Sequence, residues 1–136
     1  MFVIVSFTMP NEPISTLSAP APRGFYSQAV RNGNLVFVSG QLPLDGSGNL
    51  VAGGIAEHAE QTLKNVREIV EAAGGTVNDL AQVTVYITDL AHWPVFNAVY
   101  EKFLGSVSVP PARAVVPVNG LNKGALVEIQ SIAVIR

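Results

Sequence analysis

Hydrophobic positions along the chain follow two periods, and the change from one to the other marks the elements. Two short apolar runs, Tyr26 to Val30 and Leu35 to Ser39, flank Arg31-Asn32-Gly33-Asn34. Asn-Gly between such runs predicts a β-hairpin, because glycine enters positive φ without steric penalty. Between Gly40 and Gly54, Pro43, Asp45, Gly46, Gly48 and Gly53 predict turns, with a short strand around Leu50 and Val51. From Ile55 the period becomes helical. Ile55, Ala59, Leu63, Val66, Val70 and Ala73 recur at three- and four-residue steps and form one apolar stripe, which Gly74-Gly75 ends. Glu60 with Lys64, and Arg67 with Glu71, are the i,i+4 pairs expected on the wetter side.

Val83, Val85 and Ile87 then alternate with Thr84, Tyr86 and Thr88, the period of a strand. A second helix is predicted from Trp93 to Leu104, with Pro94 in its first turn, Gly105 after its end, and Phe96, Val99, Tyr100 and Phe103 on its apolar face. Past the rigid connector Val109-Pro110-Pro111, Ala112 to Val118 and Leu126 to Ile135 read as two more strands. Hairpin, helix, strand, helix and two strands make an α+β domain, with both helices on one face of a mixed sheet.

The last strand carries a further implication. Val127, Ile129, Ala133 and Ile135 lie on one side, and Leu126, Ile132 and Val134 on the other. Two helices cover one face of a sheet, so the second apolar face calls for another cover, and in a chain of 136 residues that cover is another copy of the same subunit. Glu128 and Gln130 interrupt this second face. A carboxylate placed there must be paired, hydrogen-bonded or functional, since burying it alone is costly.

Composition narrows the function classes. Half the residues are hydrophobic (49%) and only 13% are charged, against about 25% in typical soluble domains, which excludes disorder and fits a buried subunit interface. A net charge of −2 argues against nucleic acid, whose phosphates need a basic face. The absence of cysteine excludes disulfide, thiolate and Cys-zinc chemistry and fits the cytoplasm. No segment has the ~20 consecutive apolar residues of a membrane span. The start, Met1 to Met9, is apolar but lacks a basic n-region and runs at once into Pro10, Asn11, Glu12 and Pro13, so it reads as an added strand or arm, or as sequence upstream of a start at Met9, rather than a secretory signal. Pro10 to Gly24 reads as loop or extended arm.

Conventional catalytic sets are nearly absent. His58 and His92 are far apart and read as surface or helix-end residues. Nucleophile elbow, phosphate loop and dinucleotide fingerprint are all missing. Gly46-Ser47-Gly48 is a turn, and Asp45 and Asp79 are turn or cap residues. What remains is a scatter of polar residues at strand ends. Arg113, entering an apolar strand behind Pro110-Pro111, is either a surface ion-pair partner or a guanidinium fork for a substrate carboxylate. Glu128, expected on a neighbouring strand, either makes a structural hydrogen bond or positions a water. Tyr26 can fill apolar space, Ser39 can close a strand, and Asn97 can bond to helix backbone.

Together these residues resemble a known family. Gly24-Phe25-Tyr26-Ser27-Gln28, Val38-Ser39-Gly40-Gln41, Asn65-Val66, Asn97 to Glu101, Pro111-Ala112-Arg113 and Val127-Glu128-Ile129 are similar, in order and spacing, to the motifs of the RidA/YjgF family of enamine/imine deaminases. The resemblance covers residues 15–136 as one domain and leaves 1–14 as an N-terminal extension. It implies a chorismate-mutase-like fold, a mixed sheet with two helices on one face assembled as a homotrimer with clefts between subunits. It also implies hydrolysis of 2-enamine or 2-imine carboxylic acids, as small-molecule substrates, to 2-keto acids and ammonia, without metal or organic cofactor. Carried over by motif, Arg113 anchors the substrate carboxylate and Glu128 positions water, while Tyr26, Ser39, Asn97 and Val115 line the cleft. Two positions depart from the family pattern. Val115 stands where many deaminating members have Cys, leaving its backbone carbonyl but no thiol, and Phe25 stands in place of Pro. These departures keep open a 2-aminomuconate-type deaminase and a non-catalytic ligand-binding or regulatory trimer. Chorismate mutase activity is the weaker alternative, because fold does not imply function and only one arginine is well placed for a dicarboxylate.

Overall fold

A computed structural model of the chain describes residues 1–4 and 10–136. Its strands are β1 (Glu12–Ile14), β2 (Ala29–Asn32), β3 (Leu35–Gln41), β4 (Leu80–Ile87), β5 (Ala112–Pro117) and β6 (Val127–Val134), and its α-helices are α1 (Ile55–Ala72) and α2 (Trp93–Phe103). The strands form one sheet in the order β1-β2-β3-β6-β4-β5. All neighbours are antiparallel except β4 and β5, which α2 joins as a parallel crossover. The expected α+β architecture, a mixed sheet with both helices on one face, is therefore present. No helix among the described residues is long and apolar enough to cross a membrane.

The hairpin turns at Gly33-Asn34, with Asn32 opposite Leu35 and Gly33 at φ +60°. Its first strand begins at Ala29, not at Tyr26. The reason is the buried Gln28 side chain, which accepts from the Thr16 N–H at 2.7 Å and donates to the Ala19 and Pro20 carbonyls at 3.2 and 2.9 Å. That amide ties the preceding residues to a loop instead of the sheet. The expected loop or extended arm from Pro10 to Gly24 contains β1, paired with β2 from Glu12↔Arg31 to Ile14↔Ala29. Both the added strand or arm expected before Met9 and the start at Met9 involve residues outside those described. The strand expected at Leu50 is a single bridge to Leu44, since Asp45 Oδ1 closes a turn there by accepting from the Ser47 and Asn49 N–H groups.

α1 buries its predicted stripe and ends as predicted. Gly74, at φ +95°, donates to Glu71 O and Gly75 donates to Val70 O, the two bonds of a Schellman motif. The expected i,i+4 ion pairs do not close. Among the described residues Arg67 instead lies 3.6 Å from Glu68, a choice between exposed pairs each worth under ~1 kcal/mol. His58 is buried rather than at the surface. Its Nδ1 accepts from the Leu126 N–H at 3.1 Å, which puts the proton on Nε2, 3.2 Å from Val51 O. A neutral imidazole thus staples the loop before α1 to the start of β6.

The core lies between the helices and one sheet face. Val36 and Val38 of β3, Val83, Val85 and Ile87 of β4, and Val127, Ile129 and Ala133 of β6 are buried there against Leu63, Val66, Ile69 and Val70 of α1 and Phe96 of α2. The opposite face is different. Leu35, Phe37, Gln82 and Gln130 are exposed there, and Thr84, Tyr86, Ile132 and Val134 are only half-buried. One chain therefore closes one of the two apolar faces of β6. Ile129, fully buried on this central strand, sets the scale of the closed side: Ile129→Ala should lower stability by about 2–5 kcal/mol, read as a lower urea midpoint at unchanged m.

Candidate active site

The candidate residues fall into two groups on different sides of the sheet. The first surrounds Arg113. Because β4 and β5 pair in parallel with Val83 opposite Arg113 and Val85 opposite Val115, both β5 residues project to the helix-covered side. There the guanidinium carbon of Arg113 lies 4.7 Å from the centre of the Tyr100 ring on α2, within cation–π range. Its Nη1 donates to Asn97 Oδ1 at 2.9 Å, and Asn97 Nδ2 donates to Glu101 Oε1 at 3.1 Å. Asn97 is thus held by two side chains rather than by helix backbone. Arg113 is exposed, and among the described residues it forms no salt bridge. A planar fork oriented on two sides and unpaired elsewhere is suited to a bidentate carboxylate.

The second group surrounds Glu128 on the open face. Glu128 is opposite Tyr86 on β4 and half-buried, and burial raises its carboxyl above the usual carboxylate range. It packs over Gly40, where a Cβ would collide with the carboxylate oxygen Oε1. The register between β3 and β6 slips here. Val38 faces Ser131 and Gln41 faces Ile129, so β3 has one extra residue at Ser39-Gly40. Such a bulge re-aims side chains next to it. Ser39 Oγ donates to Ser27 O at 2.6 Å, and its N–H donates to Gln28 O at 3.0 Å, which ties the Tyr26 loop to the bulge. Tyr26 is exposed instead of filling apolar space, and its hydroxyl accepts from the Arg23 N–H at 3.4 Å.

Arg113 and Glu128 are not on neighbouring strands, because β4 lies between β5 and β6. They are about two strand spacings, ~10 Å, apart across the sheet, three β4 positions apart along it, and on opposite faces. Within one chain the two residues do not meet. Gly40, Tyr100 and Gln28 were not singled out as functional positions. All three stand in the quoted motifs, but a sequence does not show that Gly40 receives a carboxylate, that Tyr100 faces a guanidinium or that Gln28 pins a loop.

These features define an α+β protein whose polar half-sites face different ways on a half-covered sheet. The family described as Endoribonuclease L-PSP matches residues 16–135, and the chain belongs to that family, the RidA/YjgF family. It is 46% identical over 123 residues to the 2-iminobutanoate/2-iminopropanoate deaminase of Mus musculus, covering 89% of each chain. The crystal structure of the YjgF gene product of E. coli is 42% identical with a TM-score of 0.88, covering 92% of this chain and 99% of that one. E. coli TdcF with bound serine is 38% identical, also with a TM-score of 0.88 and the same coverage.

Because burial disfavours the charged form of Glu128, its ionisation opposes folding. A carboxyl whose folded-state pKa is raised adds most stability below its unfolded value and loses that contribution as pH rises through the folded value. Glu128→Gln should therefore have a higher thermal midpoint than the parent at pH 7, and the gain should shrink as pH falls toward 4, as measured by calorimetry across that range.

Proposed function

We propose that this chain hydrolyses reactive 2-enamine and 2-imine carboxylic acids to 2-keto acids and ammonia, in clefts formed between copies of itself. The observation that carries this reading is the oriented but unsatisfied Arg113 fork, in a chain 46% identical to a deaminase of such imines. The amino acid bound to TdcF, serine, presents a carboxylate and an α-nitrogen in the same relation as the proposed substrates. The family description names ribonuclease, but Leu35, Phe37, Gln82, Thr84, Gln130 and Ile132 on the open face are all uncharged, and a net charge of −2 gives no basic face for a phosphate backbone.

In this mechanism Arg113 takes the substrate carboxylate, helped by Asn97 and by the Val115 backbone. An enamine gains a proton at C3 and becomes the iminium, whose C2 is already electrophilic. A water held by the Glu128 carboxylate attacks C2, and Glu128 takes its proton. Glu128 returns that proton to the carbinolamine nitrogen, the hydroxyl loses its proton as the C–N bond breaks, and ammonia leaves a 2-keto acid. Ser39 and Tyr26 complete the wall on the Glu128 side. Orientation and charge placement supply the acceleration. Since Arg113 and Glu128 face opposite ways within one chain, the cleft needs Arg113 of one copy and Glu128 of another, and a homotrimer that covers the open sheet faces meets this need. Residues 15–136 would form the catalytic unit, with 1–14 as an extension to it.

The test is 2-keto acid release from enamines made in situ by threonine or serine dehydratase, corrected for spontaneous hydrolysis. The wild type should accelerate release, and Arg113→Ala should lower kcat/KM roughly 10- to 100-fold through loss of a charge-assisted contact. Turnover equal to buffer with these substrates and with 2-aminomuconate would favour a ligand-binding trimer instead. The shared cleft has its own test. Arg113→Ala and Glu128→Gln chains, each impaired alone, should recover about a quarter of wild-type activity when co-refolded at equal amounts, because one cleft in four then receives both intact residues. A monomeric mass by light scattering, or no recovery in the mixture, would refute it.

A further inference from the structure

We propose that Arg23 and Lys123 form a second anion subsite beside Tyr26 and Gly40, so that the preferred substrates are imino acids carrying a further carboxylate at the end of the side chain. This rests on the deaminase reading and adds to it the class of side chain recognised.

The two cations reach the same place from distant parts of the chain. Arg23 Nη2 donates to Ser47 O at 3.0 Å, and Lys123 Nζ donates to Gly48 O at 2.8 Å. Their heads are thus fastened to consecutive carbonyls of one turn. The Arg23 guanidinium lies against Gly48, where any Cβ would collide with it. Both side chains line a cavity of about 80 Å³ that Tyr26 and Gly40 also line, and Gly40 is the residue on which the Glu128 carboxylate rests. Each cation keeps donors beyond its single bond to a carbonyl. Neither forms an ion pair among the described residues, and Asp45 of the same turn uses Oδ1 on backbone N–H groups.

The backbone adds a second observation. Lys123 is in the left-handed region, at φ 61° and ψ 14°, the one non-glycine residue at positive φ among those described. Such a conformation costs about 1–2 kcal/mol for an ordinary residue, and retained strain of this kind gathers at ligand sites. Here it carries an ammonium into the cavity that the Arg23 guanidinium also lines, so that two cations share one small space that a bound anion would suit. The cavity has room for a carboxylate, given the ~30 Å³ that one water occupies in the liquid.

The test uses the full chain with 2-iminobutanoate and 2-iminoglutarate, each generated in situ by an amino-acid oxidase. Calorimetric binding of the unreactive 2-oxobutanoate and 2-oxoglutarate runs in parallel. Arg23→Gln changes an exposed residue, and Lys123→Asn keeps a side chain that tolerates positive φ, so both variants should fold. In the wild type, kcat/KM should favour the dicarboxylate by roughly tenfold or more, and either variant should bring the ratio near one. Faster hydrolysis of both substrates with no preference, or a preference that both variants retain, overturns the subsite and leaves the deaminase standing. No turnover of either substrate, with 2-oxoglutarate binding preferentially and only when Arg23 is present, overturns the deaminase and leaves the subsite standing. Neither turnover nor preferential binding removes both.

Discussion

Two helices can lie on only one face of a six-stranded sheet, and β6, at the centre of this sheet, has apolar residues on both. The helix-side row from Val127 to Ala133 is sealed, whereas Ile132 and Val134 remain half-buried beside exposed Phe37 and Leu35. The remainder of the molecule is arranged around that imbalance. The apolar surface left on the open face is what the proposed homotrimer would cover, and the polar residues set into it would then become interior residues.

The cost of a carboxylate in such a place explains several local features. Glu128 forms no ion pair among the described residues, and the structure receives it through the absence of a side chain at Gly40 and the extra residue at the Ser39-Gly40 bulge. Ser39 and Gln28 then hold the loop carrying Tyr26 in register with the bulge. On the other side of the sheet Arg113 is steered by contacts that leave its charge uncompensated, a ring face from Tyr100 and an amide oxygen from Asn97. A carboxyl and a guanidinium held by separate frameworks and facing different ways fit the proposed cleft between identical subunits.

Where local sequence carries the physics, the sequence could be read directly. The α1 stripe, its Gly74-Gly75 stop, the β4 alternation and the hairpin at Gly33 all depend on residues within a few positions of one another. The family motifs carried the identity of the chain as well, since six short segments in register occur together rarely by chance. Readings failed where one side chain acted over a distance. Gln28 drew Tyr26 out of the hairpin by bonding residues about ten positions earlier. His58 left the surface to bond Leu126, 68 positions away, and the Leu50 strand shrank to one bridge beside the Asp45 turn.

The sequence by itself determined the elements, the apolar excess on the last strand, the family, and the short roll of polar residues available for chemistry. Periodicity and turn chemistry are local, so they survive without coordinates. Only the tertiary structure decided that β4 separates Arg113 from Glu128, that the two face opposite ways, and that Arg23 and Lys123 converge on one turn. Strand order and the meeting of distant side chains are set by the packing of the whole sheet, and no local pattern encodes them.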